Sequence, residues 1–137
     1  MLVVDAGPIV AAAATRDRHH EDSVELLTGA ARPLVIPTLV VTEVAYFLND
    51  RIGSSAERAF AGSIARGELV VEPVEPGDWE RIAELLDDYA DLPLGIVDAS
   101  VVAVCERLGA TTLATLDRRH FSVVRPRHCP ALTLVPA

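Results

Sequence analysis

Short apolar runs alternate along this chain with longer segments whose apolar positions recur every three or four residues, and that alternation leaves few architectures open. Leu2-Val3-Val4, Leu34-Val35-Ile36, Leu69-Val70-Val71, Thr111 to Leu116 and Leu132 to Val135 read as strands, rich in β-branched and aliphatic side chains. The intervening segments read as helices: from near Ile9, from Asp17 to about Gly29, from Thr38 to about Asp50, from Ser54 to about Arg66, from Pro76 past Tyr89, and from Ile96 to Leu108. Ser54 and Glu57 have capping-box spacing, and Gly67 and Gly109 supply helix stops. Strands joined through helices pair in parallel. The expected fold is therefore α/β, a three-layer α/β/α arrangement with a short, mainly parallel central sheet and Leu132 to Val135 at an edge. The carboxyl ends of such strands open onto one crevice.

Four acids interrupt this pattern. Asp5 ends the first strand and Asp117 ends the fourth. Asp98 is followed at i+3, i+4 and i+7 by Val101, Val102 and Cys105, so its carboxylate shares the apolar stripe of its helix. Glu43 lies among Leu39, Val40, Tyr46 and Phe47, its −4, −3, +3 and +4 neighbours. Each acid has an ordinary explanation when taken singly. Asp5 and Asp98 serve as helix caps or dipole partners, Asp117 as a turn residue, and Glu43 as one half of an ion pair with an arginine.

Bulk properties bound the function. At 137 residues, half of them hydrophobic, the chain suits a single domain spanning 1–137. No apolar run approaches the roughly 20 residues that cross a bilayer and no secretory leader is legible, so a cytoplasmic protein with no membrane partner is expected. All twelve basic residues are arginine, which removes mechanisms that need a lysine. Among these are the aspartyl-phosphate chemistries that would use Asp5 as nucleophile. Cys105 and Cys129 have neither metal nor redox spacing and read as unreactive thiols. His19 and His20 form no metal motif and read as solvent-facing.

The net charge of −8 argues against a polyanionic substrate, because phosphate neutralisation dominates nucleic-acid affinity. Its distribution softens that conclusion. From Glu75 to Asp91 seven acids face one arginine, leaving −6, whereas from Arg107 onward five arginines face one acid, leaving +4. The acidic segment is the solvated side of a helix whose Trp79, Ile82, Leu85, Leu86 and Tyr89 read as core.

Four acids breaking pattern together point to one shared site. Four carboxylates cannot all stay ionised in a partly dry crevice unless a cation joins them. An oxygen-only set without cysteine or histidine suits a hard ion, Mg²⁺ or Mn²⁺, and through it phosphoryl or phosphodiester chemistry.

The motifs Val3-Val4-Asp5, Val41-Thr42-Glu43, Gly95-Ile96-Val97-Asp98-Ala99-Ser100 and Thr115-Leu116-Asp117-Arg118-Arg119-His120-Phe121 together resemble the PIN-domain ribonucleases, and specifically the VapC toxins of bacterial type II toxin–antitoxin pairs. The resemblance spans essentially the whole chain in the right order, and the last two motifs are the most specific. It implies a metal-dependent endoribonuclease in which Asp5, Glu43, Asp98 and Asp117 form the acidic pocket. Asp5 and Asp98 would be the direct metal ligands, and Glu43 and Asp117 would complete the set directly or through water. Thr115, two residues before Asp117, would support the cluster from the same strand face. Arg118, Arg119 and His120 would hold RNA phosphates, although a solvated basic turn explains them equally well. The family often carries a hydroxyl or amide residue two positions after its first aspartate, where this chain has Gly7.

The same resemblance implies a homodimer, a structured RNA substrate such as transfer or ribosomal RNA, and a VapB-like antitoxin that presents a basic side chain to the acids. The rival expectation is a non-catalytic module on the same fold, binding a metal or a basic peptide without turnover.

Overall fold

The computed structural model describes residues 1–137 as β1 (Leu2–Val4), α1 (Ala6–Ala13), α2 (His20–Gly29), β2 (Leu34–Pro37), α3 (Thr38–Arg51), α4 (Ser54–Ala65), β3 (Val70–Glu72), α5 (Pro76–Asp88), α6 (Ile96–Leu108), β4 (Thr112–Ala114), α7 (Arg118–Phe121) and β5 (Thr133–Val135). The five strands form one sheet in the order β3-β2-β1-β4-β5, and every neighbouring pair is parallel. Val3 of the central strand is in register with Val35 on one side and Leu113 on the other. The sheet is thus parallel throughout, with helices in the layers above and below it.

Burial explains the strand composition. Every residue of β1 and β2 is buried, as expected of a sheet covered on both faces, so these strands read as continuous apolar runs instead of alternating ones. A core of 28 buried residues runs from Leu2 to Leu132, and no helix is long and apolar enough to cross a membrane. In α6 the residues Ala99 to Cys105 are buried all the way round, beyond the single stripe that the spacing suggests. Burial pushes the Cys105 thiol up to about 12, which keeps it protonated and inert.

The chain order β1, β2, β3 proceeds outward in one direction, and the next strand, β4, returns to the opposite side of β1. Right-handed crossovers then place α1 to α4 on one face and α5 with α6 on the other. The gap between the carboxyl ends of β1 and β4 is therefore a topological switch point, where open α/β sheets form their crevice.

Several local expectations need correction. Helix α2 starts at His20, not Asp17, and the His20 Nδ1 lies 2.9 Å from the Ala11 carbonyl, linking α2 to α1 instead of facing solvent. The inward position that helical spacing gives Val24 falls instead to Ser23, which is buried, while Val24 is exposed. The cap of α4 is Gly53 at φ 134°, a conformation suited to glycine, and Ser54 is already helical. Trp79 is 49% exposed, because the buried face of α5 is centred on Asp78, Ile82 and Leu85 and Trp79 stands to one side of it. The fourth strand stops at Ala114, so Thr115 to Asp117 form a turn into the short helix α7, whose fully buried Phe121 anchors it.

Candidate active site

Asp5 follows β1 at the N-cap position of α1, yet its side chain makes no capping bond to that helix. It is 6% exposed. Its Oδ2 accepts a 2.8 Å hydrogen bond from the Thr115 hydroxyl, and its Oδ1 is buried without any partner. Burial raises its pKa, and Asp117 adds to the rise, against the lowering effect of the Ala6 backbone N–H and Thr115.

Thr115 joins the two strand ends. While its hydroxyl donates to Asp5, its oxygen accepts the Asp117 backbone N–H at 3.0 Å. It is buried with no other role visible, as a group that orients a carboxylate must be.

Asp117 caps α7. Its Oδ1 accepts the His120 backbone N–H at 3.1 Å, and its Oδ2 accepts from the His120 Nδ1 at 2.7 Å. The turn-residue reading is therefore correct for its backbone role, and the same geometry turns His120 inward. Asp98 sits in the first turn of α6, with its Oδ2 3.7 Å from the His120 Nδ1. Asp98, Asp117 and His120 together offer ligand-type atoms within 4.8 Å of one another. Because His120 donates from Nδ1 to Asp117, that nitrogen has no lone pair for an ion, and only its Nε2 could join the carboxylate oxygens as a ligand.

Burial, then the charges of Asp5 and Asp117, push Asp98 up to about 6 against the opposing pull of His120. Glu43, in the middle of α3, has no arginine or histidine within 4.0 Å, so the ion pair that would account for it as a structural residue is absent. Burial pushes it up to about 7, followed by the charges of Asp5, Asp98 and Asp117. The hydrogen bond that His120 donates to Asp117 holds its pKa above the ordinary value. Neighbouring carboxylates thus add to the proton affinity of Asp5, Glu43 and Asp98 across one cavity of about 280 Å³, which these three and Asp117 line.

Asp17 and Arg51 line the same cavity, and the sequence pattern singled out neither. Asp17 reaches it because α2 begins late, which leaves this residue in a loop where its Oδ1 accepts the His19 N–H at 2.8 Å. Arg51, at the end of α3, lies eight residues beyond Glu43 on a helix of 3.6 residues per turn, a spacing that could have found it.

The basic residues after Asp117 separate. His120 belongs to the acidic cluster. The Arg118 guanidinium bonds the Pro136 carbonyl and approaches that of Leu134 at 3.5 Å, beside β5, while Arg119 is exposed. Gly7 also has a steric reason: a Cβ there would lie 3.1 Å from the Leu116 Cβ, so a hydroxyl or amide side chain at this position would force Leu116 to move.

An ion fits this donor set. The orphaned Oδ1 of Asp5 is a buried acceptor in a cavity of hard oxygen ligands whose raised pKa values signal uncompensated negative charge.

The family model of the PIN domain matches residues 2–125. The chain belongs to the PIN domain family. Ribonuclease VapC26 of Mycobacterium tuberculosis (strain ATCC 25618 / H37Rv) is 30% identical over 135 residues, covering 98% of this chain and all of that PIN protein. Among solved structures, Mycobacterium tuberculosis VapC20, described as a sarcin-ricin loop cleaving toxin, superposes with a TM-score of 0.77 at 24% identity, over 82% of this chain and 87% of its own. FitAcB from Neisseria gonorrhoeae does so at 0.62 with 13% identity, over 86% and 88%. At those identities the two structures bear on the PIN fold alone.

Proposed function

We propose that this PIN protein is the toxin of a type II toxin–antitoxin pair, an endoribonuclease that hydrolyses phosphodiester bonds in structured RNA with Mg²⁺ or Mn²⁺ held by Asp5, Glu43, Asp98 and Asp117. One observation carries the reading: four carboxylates line one cavity without a guanidinium bound to any of them, and a buried oxygen of the most enclosed one is unpartnered. Its full-length relative at 30% identity bears the name of a ribonuclease.

When bound, the ion supplies Lewis-acid polarisation of a phosphodiester oxygen and lowers the pKa of an attacking water. The side chains do the rest. Asp5 and Asp98, the most enclosed and the first-turn acid of a buried helix, fix the cation's position. Glu43 completes the oxygen set, directly or through water, and accepts a hydrogen bond from the attacking water. Thr115 fixes the rotamer of Asp5, and His120 fixes that of Asp117. An RNA substrate places this chemistry in the cytoplasm. The acidic pocket is complementary to a basic side chain of a VapB-like antitoxin, and self-association of the toxin as a homodimer completes the reading.

The test is cleavage of total RNA by the purified chain with Mg²⁺ or Mn²⁺, beside its Asp98→Asn variant and an EDTA control. Cleavage by the parent alone, abolished by chelation, supports the assignment. Cleavage of equal strength by the variant means that the nuclease lies elsewhere, and none by either, with the ion bound, means a non-catalytic module.

A further inference from the structure

Among the residues lining the acidic cavity there is one cation, Arg51. Its guanidinium carbon stands 4.6 Å from the centroid of the Phe47 ring, which lines the same cavity, and Phe47 is in turn braced edge-on by Tyr46 at 5.6 Å. Arg51 has no carboxylate within 4.0 Å and no hydrogen-bonded partner, although five acids line the cavity with it. Other arginines packed against the fold are engaged: Arg107 and Arg81 each bind two carboxylates, and Arg118 binds backbone carbonyls. Glu43, Phe47 and Arg51 recur at i, i+4 and i+8, so one face of α3 leads outward from the acids to the guanidinium.

We infer that Arg51 is the phosphate contact of the RNA strand beside the cleaved bond, held over Phe47 so that its fork faces the strand and not the acids. The physical case is one of charge and preorganisation. A strand entering a net-negative cavity needs a cation at its rim. An arginine stacked on an aromatic ring keeps its donors free while its side-chain freedom is already reduced. A lone guanidinium fits one backbone phosphate bidentately. This inference rests on the nuclease reading above.

The experiment measures binding of a short fluorescein-labelled single-stranded oligoribonucleotide of mixed sequence to the Asp98→Asn chain, alone and combined with Arg51→Ala or Arg51→Lys, across a series of salt concentrations. Arg51→Ala should weaken binding about tenfold and lower the salt slope of log K by about 0.7, the value for one phosphate contact on a single strand. Arg51→Lys should restore the slope and only part of the affinity. In the otherwise unchanged chain, Arg51→Ala should raise KM far more than it lowers kcat. Mn²⁺ affinity, measured by calorimetry without RNA, should weaken in neither substitution. An unaltered slope in Arg51→Ala, or weakened Mn²⁺ binding in both variants, overturns the role of Arg51 while leaving the nuclease reading intact. No RNA binding by the Asp98→Asn parent overturns both.

Discussion

Between α5, α6 and β3, the carboxylates Glu72, Asp78 and Glu106 each accept from an arginine; at the carboxyl ends of β1 and β4, Asp5, Glu43, Asp98 and Asp117 accept from none. Arg107 spans Glu72 at 2.7 Å and Asp78 at 3.1 Å. Arg81 binds Glu106 through two nitrogens at 2.8 and 2.9 Å, and the Arg127 backbone N–H adds a third bond to it at 2.8 Å. Burial alone would raise the pKa of Glu106, but the bonds from Arg81 and Arg127 outweigh it and leave it lowered. Glu43 and Asp98, comparably enclosed, go the other way, to about 7 and about 6. The chain has arginines to spare for neutralising acids and spends none of them within bonding distance of the pocket. A network closed on itself holds helices together, and an open one is shaped to bind something positive.

The contrast is sharpest under Asp98→Asn. RNA cleavage should drop at least about a thousandfold, since charge stabilisation worth several kcal/mol depends on the ion, while the metal-free melting temperature should rise because a repulsive charge is gone. A melting temperature that falls would mean that Asp98 is structural. In the closed network the opposite sign is expected: Arg107→Ala leaves Asp78, 5% exposed, without its partner and should cost about 3 kcal/mol in denaturant unfolding, with metal affinity unchanged.

Thr115→Val comes next. It removes the donor to Asp5 and the acceptor for the Asp117 N–H, and should reduce Mn²⁺ affinity or turnover about ten- to a hundredfold, read by calorimetry and RNA cleavage.

Acidity should also separate the two regions. An ion held as proposed would bind the deprotonated carboxylates, so Mn²⁺ affinity should fall as pH drops through about 7 and then about 6, by about tenfold per pH unit for each proton displaced. Calorimetry in buffers of different ionisation enthalpy counts those protons. The smallest effect concerns the metal-free fold. Raised acid pKa values mean that the folded chain keeps protons which the unfolded chain has already released, from about 4 up to about 7, so these groups make stability decline as pH rises through that window. Melting in EDTA across the window should show the decline, and Glu43→Gln should flatten it.

The sequence carried the acids because they violate a hydrophobic rhythm: a carboxylate inside an apolar stripe is visible without coordinates. It carried α6 in full, since Ile96 and Leu108 bound a long apolar run and Gly109, at φ 70°, ends it. What it hid depends on azimuth and approach. Trp79 has the spacing of a core residue but stands at the rim of the buried sector. Asp17 reaches the cavity only through the course of the α1–α2 loop. His120 reads as one of three basic residues, and only the tight turn capped by Asp117 brings its ring back to the acids. Gly7 looks like a missing hydroxyl until Leu116 is seen against it.

The order of the strands ties the pocket to a late pairing, that of β4 with β1. Asp5 emerges early, but its partners across the switch point arrive only with α6 and β4, and Thr115 bridges the two strand ends only after β4 has docked beside β1. A growing polypeptide therefore holds no assembled pocket while only its first three strands have emerged, and whatever the pocket does waits on the docking of β4 beside β1.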